Sequence, residues 1–223
     1  MSYFNPEFVQ FFADLSKNNN VPWFFDNRQV FDKEVRKPFT KFVKKMINNI
    51  KTYEFEINIK PPDTIMPINK DIRFSADKTP YNTCMAANIS ASGRKDMSYP
   101  GFYFQMSAEG ILLRGGAYVI ENNKLNDIRK YMALHLDNFA AAYNETSFKE
   151  KFGSIQGEQS NSIPPEFQDV LSKEPLIGNK QLYYSAILPP DMITSEELDD
   201  ILMTYYLAGR KVNDFLKLAW LNM

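Results

Sequence analysis

The hydrophobic residues change period four times along this chain, and that pattern limits the architectures open to it. Phe8, Phe11, Phe12 and Leu15 recur at helical spacing, as do Phe39, Phe42, Val43, Met46, Ile47 and Ile50. From Tyr53 the spacing becomes two, with Phe55, Ile57 and Ile59 alternating with polar residues. Further strands are predicted near Ala87–Ala91, Phe102–Ser107 and Ile111–Tyr118. Helical spacing returns through Leu125, Ile128, Met132, Leu136 and Phe139, followed by a strand at Leu182–Leu188 and a final helical region from Ser195. Helices, then strands, then helices fit an α+β fold. Its sheet is expected to be largely antiparallel, with helices from the N- and C-terminal regions, rather than alternating βαβ units.

Local signals set the expected boundaries. Asn5-Pro6-Glu7 opens the first helix and Asn18-Asn19-Asn20 ends it. Val21–Phe25 reads as an apolar connector, and a second helix is expected from Asp26 with Gln29 as capping-box partner. Pro38 predicts a kink or break, and Pro61-Pro62-Asp63 ends the strand before it. Ala108-Glu109-Gly110 fits a hairpin turn, Asn122 or Asn123 a helix cap, Gly153–Pro165 a surface loop, and Gly209 a break in the last helix.

A chain of 223 residues fits one large domain over 1–223. Hydrophobic residues are 44% of it and aromatics 14%, enough for a sizeable core. With a formal charge of −1 the chain as a whole does not draw polyanions, so nucleic acid is not an expected partner. Cys84 is the single cysteine, which excludes an intrachain disulfide and a thiolate-rich metal site. His135 is the single histidine, so a histidine metal site is not expected either, and no metal or cofactor is called for. With no signal-like N-terminus and no run of about 20 apolar residues, the expectation is a soluble, cytoplasmic protein without membrane contact.

The densest polar segment is Asp71–Tyr81. Arg73 offers a planar fork of donors suited to carboxylate or phosphate, and Lys78 a mobile point charge. Ser75, Thr79 and Tyr81 add hydroxyls, and Asp71 and Asp77 can orient the bases. These residue types suit an anionic or polar small molecule. Arg73, Asp77, Lys78, Tyr81 and the strand residue Tyr103 are therefore the candidate ligand-binding residues, with no catalytic residue assigned. A structural ion-pair network among the same charges stays open beside that reading. Cys84 follows the motif and could act as a nucleophile only with a nearby base, such as His135, or a positive field. The alternative to a small-molecule site is a non-catalytic interaction protein using the basic stretch Arg28–Lys51, although Lys41, Lys44, Lys45 and Lys51 fall opposite an apolar helix face and read as solvated. No phosphate-cradling glycine loop and no G-x-S-x-G are present.

The run from Arg73 to Tyr81, RFSADKTPY, resembles the signature of a family known as domain of unknown function 2461. Asn18-Asn19 with Trp23-Phe24, Val35-Arg36-Lys37-Pro38-Phe39, Pro100-Gly101-Phe102-Tyr103, Gly115-Gly116, and Leu125 with Ile128-Arg129 resemble other parts of it in order. Lys70 keeps the basic residue ahead of Asp71, while Asn82 stands where the family usually has Lys. The resemblance covers most of the chain and carries no reaction with it.

Overall fold

The computed structural model describes residues 2–221. Its four strands, β1 (Cys84–Ile89), β2 (Gly101–Ser107), β3 (Gly110–Ala117) and β4 (Leu182–Leu188), form an antiparallel sheet in the order β1-β2-β3-β4. With helices before and after it, the fold is α+β. The chain divides into two compact units, one of Met1–Ile89, Tyr103–Leu113 and Ile187–Met203, the other of the remaining segments. No helix among the described residues is long and apolar enough to cross a membrane.

In the first unit, α1 (Pro6–Lys17) starts and stops where the asparagines predict, and buries Phe8, Phe11, Phe12 and Leu15. Val21–Phe25 is helical rather than a connector: α2 (Val21–Asp26) is started by the Asn20 side chain, which accepts from the Trp23 amide at 3.0 Å. Asp26 therefore ends a helix instead of opening one. The next turn, α3 (Arg28–Val30), runs into a π-helical stretch at Phe31–Arg36 and then α4 (Lys37–Lys51). Pro38 does not break this run. It lacks an amide donor, and its ring would crowd the Glu34 carbonyl in a regular α turn; the wider π turn ahead of it absorbs both defects. The α4 stripe from Phe39 to Ile50 is buried, with Phe39 and Phe42 packed on Phe104. Lys41, Lys44, Lys45 and Lys51 are exposed, as a solvated face requires.

The strand predicted at Tyr53–Ile59 is absent. The amides of Tyr53 and Glu54 both bond back to the Ile50 carbonyl, so the end of α4 uses the donors that a strand would have needed. Ile57 is buried while Phe55 is 82% exposed, so the two do not share a face as strand residues two apart would. Pro61-Pro62-Asp63 begins a short helix, α5 (Pro61–Thr64), in which Asp63 accepts from the Lys60 amide at 2.9 Å. The β2–β3 hairpin turns at Ala108-Glu109 as expected.

The second unit holds α6 (Asn122–Leu134), α7 (Leu136–Tyr143), α8 (Thr146–Phe152), α9 (Gln168–Leu171) and most of α10 (Leu198–Leu221). The expected single helix from Asn122 to Phe139 is two helices, because His135 leaves helical geometry and its carbonyl starts α7 by accepting from the Phe139 amide. The α6 cap position is Glu121, one residue ahead of the asparagines. Gly153–Pro165 is a loop tied down by bridges Gln156 to Tyr183 and Gln159 to Asn179. Helix α10 passes Gly209 without a break. That glycine answers to packing: a Cβ there would lie 2.2 Å from the Tyr184 hydroxyl, and one at Gly115 would meet the same atom at 2.2 Å.

Candidate functional site

The Asp71–Tyr81 motif caps a small hairpin. Lys70 donates its amide to the Pro80 carbonyl at 2.9 Å and Asn82 to that of Ile68 at 2.7 Å, leaving 71–79 as the tip. At the base, the Asn19 side chain acts as an extra strand: it donates to the Tyr81 carbonyl at 2.8 Å and accepts from the Tyr81 amide at 3.1 Å. The Tyr81 ring stacks on Phe24 at 4.0 Å. Asn18-Asn19 and Trp23-Phe24, separated from the motif by some sixty residues of sequence, are thus the groups that hold it.

Within the tip the charges pair with their sequence neighbours. Arg73 forks onto Asp71, with Nε–Oδ1 at 2.9 Å and Nη2–Oδ2 at 2.6 Å. Lys70 Nζ donates to Asp77 at 2.6 Å and to the Thr79 hydroxyl at 2.8 Å, while Asp77 accepts from the Thr79 amide. The Lys70 ammonium, with the Thr79 donors, holds the Asp77 carboxyl far below the usual range, and Arg73 lowers that of Asp71. Lys78 Nζ donates to the Ile72 carbonyl at 2.9 Å. The tip is nonetheless exposed: the Arg73 side chain is 76% and Phe74 95% accessible. Tyr103 is half-buried on β2, where its hydroxyl donates to Gln105 at 2.9 Å. The motif brings Asp71 to Arg73 and Lys70 to Asp77.

Burial pushes the Cys84 thiol up to about 11, against a small opposite pull from Lys70. A thiol held protonated at neutral pH is a poor nucleophile. At about pH 8 the folded chain is expected to react with iodoacetamide roughly a hundredfold more slowly than the urea-unfolded chain; equal rates would contradict this burial. The unfolded thiol ionises first, near 9.0, so stability falls as pH rises from there towards 11.

The second unit contains a cleft of about 450 Å³ that the sequence reading did not identify. Its polar lining includes Asn122, Asn126, Arg129, Ser160 and Lys180, with Asn161 and Ser162 beside them, and its apolar wall is Leu125, Ile163, Pro164 and Pro165. Arg129 is only 4% exposed. Its Nε donates to the Ile177 carbonyl at 2.8 Å, Nη1 to Asn126 Oδ1 at 3.2 Å, and Nη2 to Ser160 Oγ at 2.6 Å. The Gly178 and Asn179 carbonyls lie 3.5 and 3.4 Å from Nη2. The guanidinium thereby caps the end of the 3-10 turn Pro175–Gly178, where carbonyls lack helical partners. Each of these partners is neutral. Desolvation lowers the Arg129 pKa, yet a guanidinium keeps its charge in a protein. The sequence signal was an arginine on the buried stripe of α6, between Ile128 and Met132, where a cation is out of place unless it has a specific role.

A family model described as "Conserved hypothetical protein (DUF2461)" matches residues 7–215. No curated protein and no solved structure matches the chain.

Proposed function

As the chain belongs to the DUF2461 family of conserved hypothetical proteins, we propose that it is a binding domain for an anionic or polar small molecule, held in the cleft over Arg129. The supporting observation is a buried guanidinium whose hydrogen-bond partners are all neutral. Burying a cation without a counter-ion is costly, and an anion in the cleft offsets that cost. The cleft volume falls in the range of small-molecule sites, roughly 300–1,000 Å³. Lys180 also lines the cleft, with its ammonium 3.6 Å from the Glu158 carboxylate.

A second reading keeps the ligand at Arg73, Asp77, Lys78 and Tyr81. It is favoured by the accessibility of Arg73, which stays high despite its pairing with Asp71. One experiment separates the two. Thermal melting of the full chain is followed with phosphate, carboxylates and neutral analogues at matched ionic strength. A ligand at a hundred times its Kd stabilises by about 2.7 kcal/mol, or roughly 5–10 °C for a chain of this size. The cleft reading expects that shift from an anion and expects it to survive Arg73→Ala/Lys78→Ala. Loss of the shift in that variant favours the motif; no shift from any anion beyond its neutral analogue refutes both.

A further inference from the structure

Given that the cleft holds an anion, its remaining chemistry narrows the occupant. Among the lining residues the cations are Arg129 and Lys180, and none is a carboxylate. Lys180 Nζ lies 3.6 Å from Glu158 Oε2, so its charge has a local answer. One uncompensated charge is left, which suits a monoanion better than a dianion.

The guanidinium also sets which atoms face an incoming ligand. Ser160 Oγ accepts from Nη2, so its own hydroxyl proton is available to a second acceptor. Asn126 presents Oδ1 to Nη1, so its Nδ2 protons point away from the arginine. The two side chains sit on adjacent nitrogens of one planar group. Both accept from the same guanidinium, so their remaining donors, the Ser160 hydroxyl and the Asn126 amide, are carried by groups seated on one buried positive charge. A ligand bound here breaks none of the Arg129 bonds. Beside these donors, Leu125, Ile163 and Pro164 form a wall that only an apolar group can use.

We infer that the cleft takes a monocarboxylate carried on an apolar body, its carboxylate oxygens accepting from the Ser160 hydroxyl and the Asn126 amide over the Arg129 guanidinium. A free aliphatic acid and an apolar peptide C-terminus share this chemistry.

Isothermal titration of the full chain tests it with octanoate, octanamide, octyl phosphate, inorganic phosphate and an acetylated apolar dipeptide acid. Octanoate or the dipeptide acid is expected to bind at least tenfold more tightly than octanamide and octyl phosphate, a tenfold step being about 1.4 kcal/mol. The better of the two names the source. Asn126→Asp keeps an acceptor on Arg129, so the wall is preserved, and cancels the buried charge. It is expected to weaken the carboxylate by about a hundredfold. Ser160→Ala is expected to weaken it by about tenfold, with thermal melting as the check on folding. Tighter binding of octyl phosphate or inorganic phosphate would overturn the carboxylate class while leaving an anion site. No anion binding beyond octanamide would overturn both. Unchanged carboxylate affinity in Asn126→Asp would show that the acid binds elsewhere and overturn the inference.

Discussion

Gly209→Ala is expected to destabilise the folded chain by about 2–3 kcal/mol, read as a lower urea midpoint at unchanged slope. Helix propensity alone points the other way, since alanine gains about 1 kcal/mol over glycine inside a helix. Packing decides the sign. The new methyl would lie 2.2 Å from the Tyr184 hydroxyl and 2.6 Å from Cζ and Cε2. Tyr184 is 1% exposed, and its hydroxyl sits 3.0 Å from both the Gly209 carbonyl and Asn213 Oδ1. Asn213 is itself engaged, accepting from the Gly116 amide at 2.8 Å and donating to the Gly101 carbonyl at 3.1 Å. Retreat of the ring therefore disturbs a buried polar network as well as the packing. Gly115→Ala meets the same ring atoms and is expected to act in the same direction. A raised midpoint in Gly209→Ala would show that the tyrosine slot relaxes freely.

Arg129→Met is expected to cost about 2–4 kcal/mol, because it replaces a buried donor set by a side chain of similar length with none. The Ile177 carbonyl loses its 2.8 Å partner at the end of the 3-10 turn, and Ser160 and Asn126 lose theirs. Ser160 and Asn126 are partly accessible and regain water, so most of the cost falls on the carbonyls. Arg129→Lys keeps the charge but offers one point donor for three directions, and is expected to lose about 1–2 kcal/mol. Melting curves of the two variants check the order. Wild-type melting of Arg129→Met would mean that the guanidinium does not organise the cleft walls.

Elements governed by their own residues were legible in the sequence. The α1 stripe between two asparagine signals and the hairpin at Ala108-Glu109 are local patterns, and they formed as expected. The misreadings came from partners distant in sequence or from backbone details. Alternation at Phe55, Ile57 and Ile59 is a strand signal only if another strand supplies hydrogen bonds, and here the end of α4 takes the donors first. Gly209 reads as a breaker until Tyr184, 25 residues earlier, is placed against it. Pro38 reads as a stop until the preceding turns widen. The motif showed the opposite bias. Its charges are visible because they are close in sequence, and that closeness lets Asp71 pair with Arg73 and Asp77 with Lys70. The cleft draws Asn126 and Arg129 from α6, Ser160 from a loop and Lys180 from just ahead of β4, so no single segment announces it.

The claim that an anion binds over Arg129 is tested most directly by nuclear magnetic resonance of the isotope-labelled chain, titrated with octanoate and then with phosphate. The account predicts saturable shifts of the Arg129 Nε–H and Asn126 side-chain amide signals and of the backbone amides at 160–164, with the amides of 71–79 unmoved. Saturable shifts confined to 71–79, or no saturable shift with either anion, would contradict it.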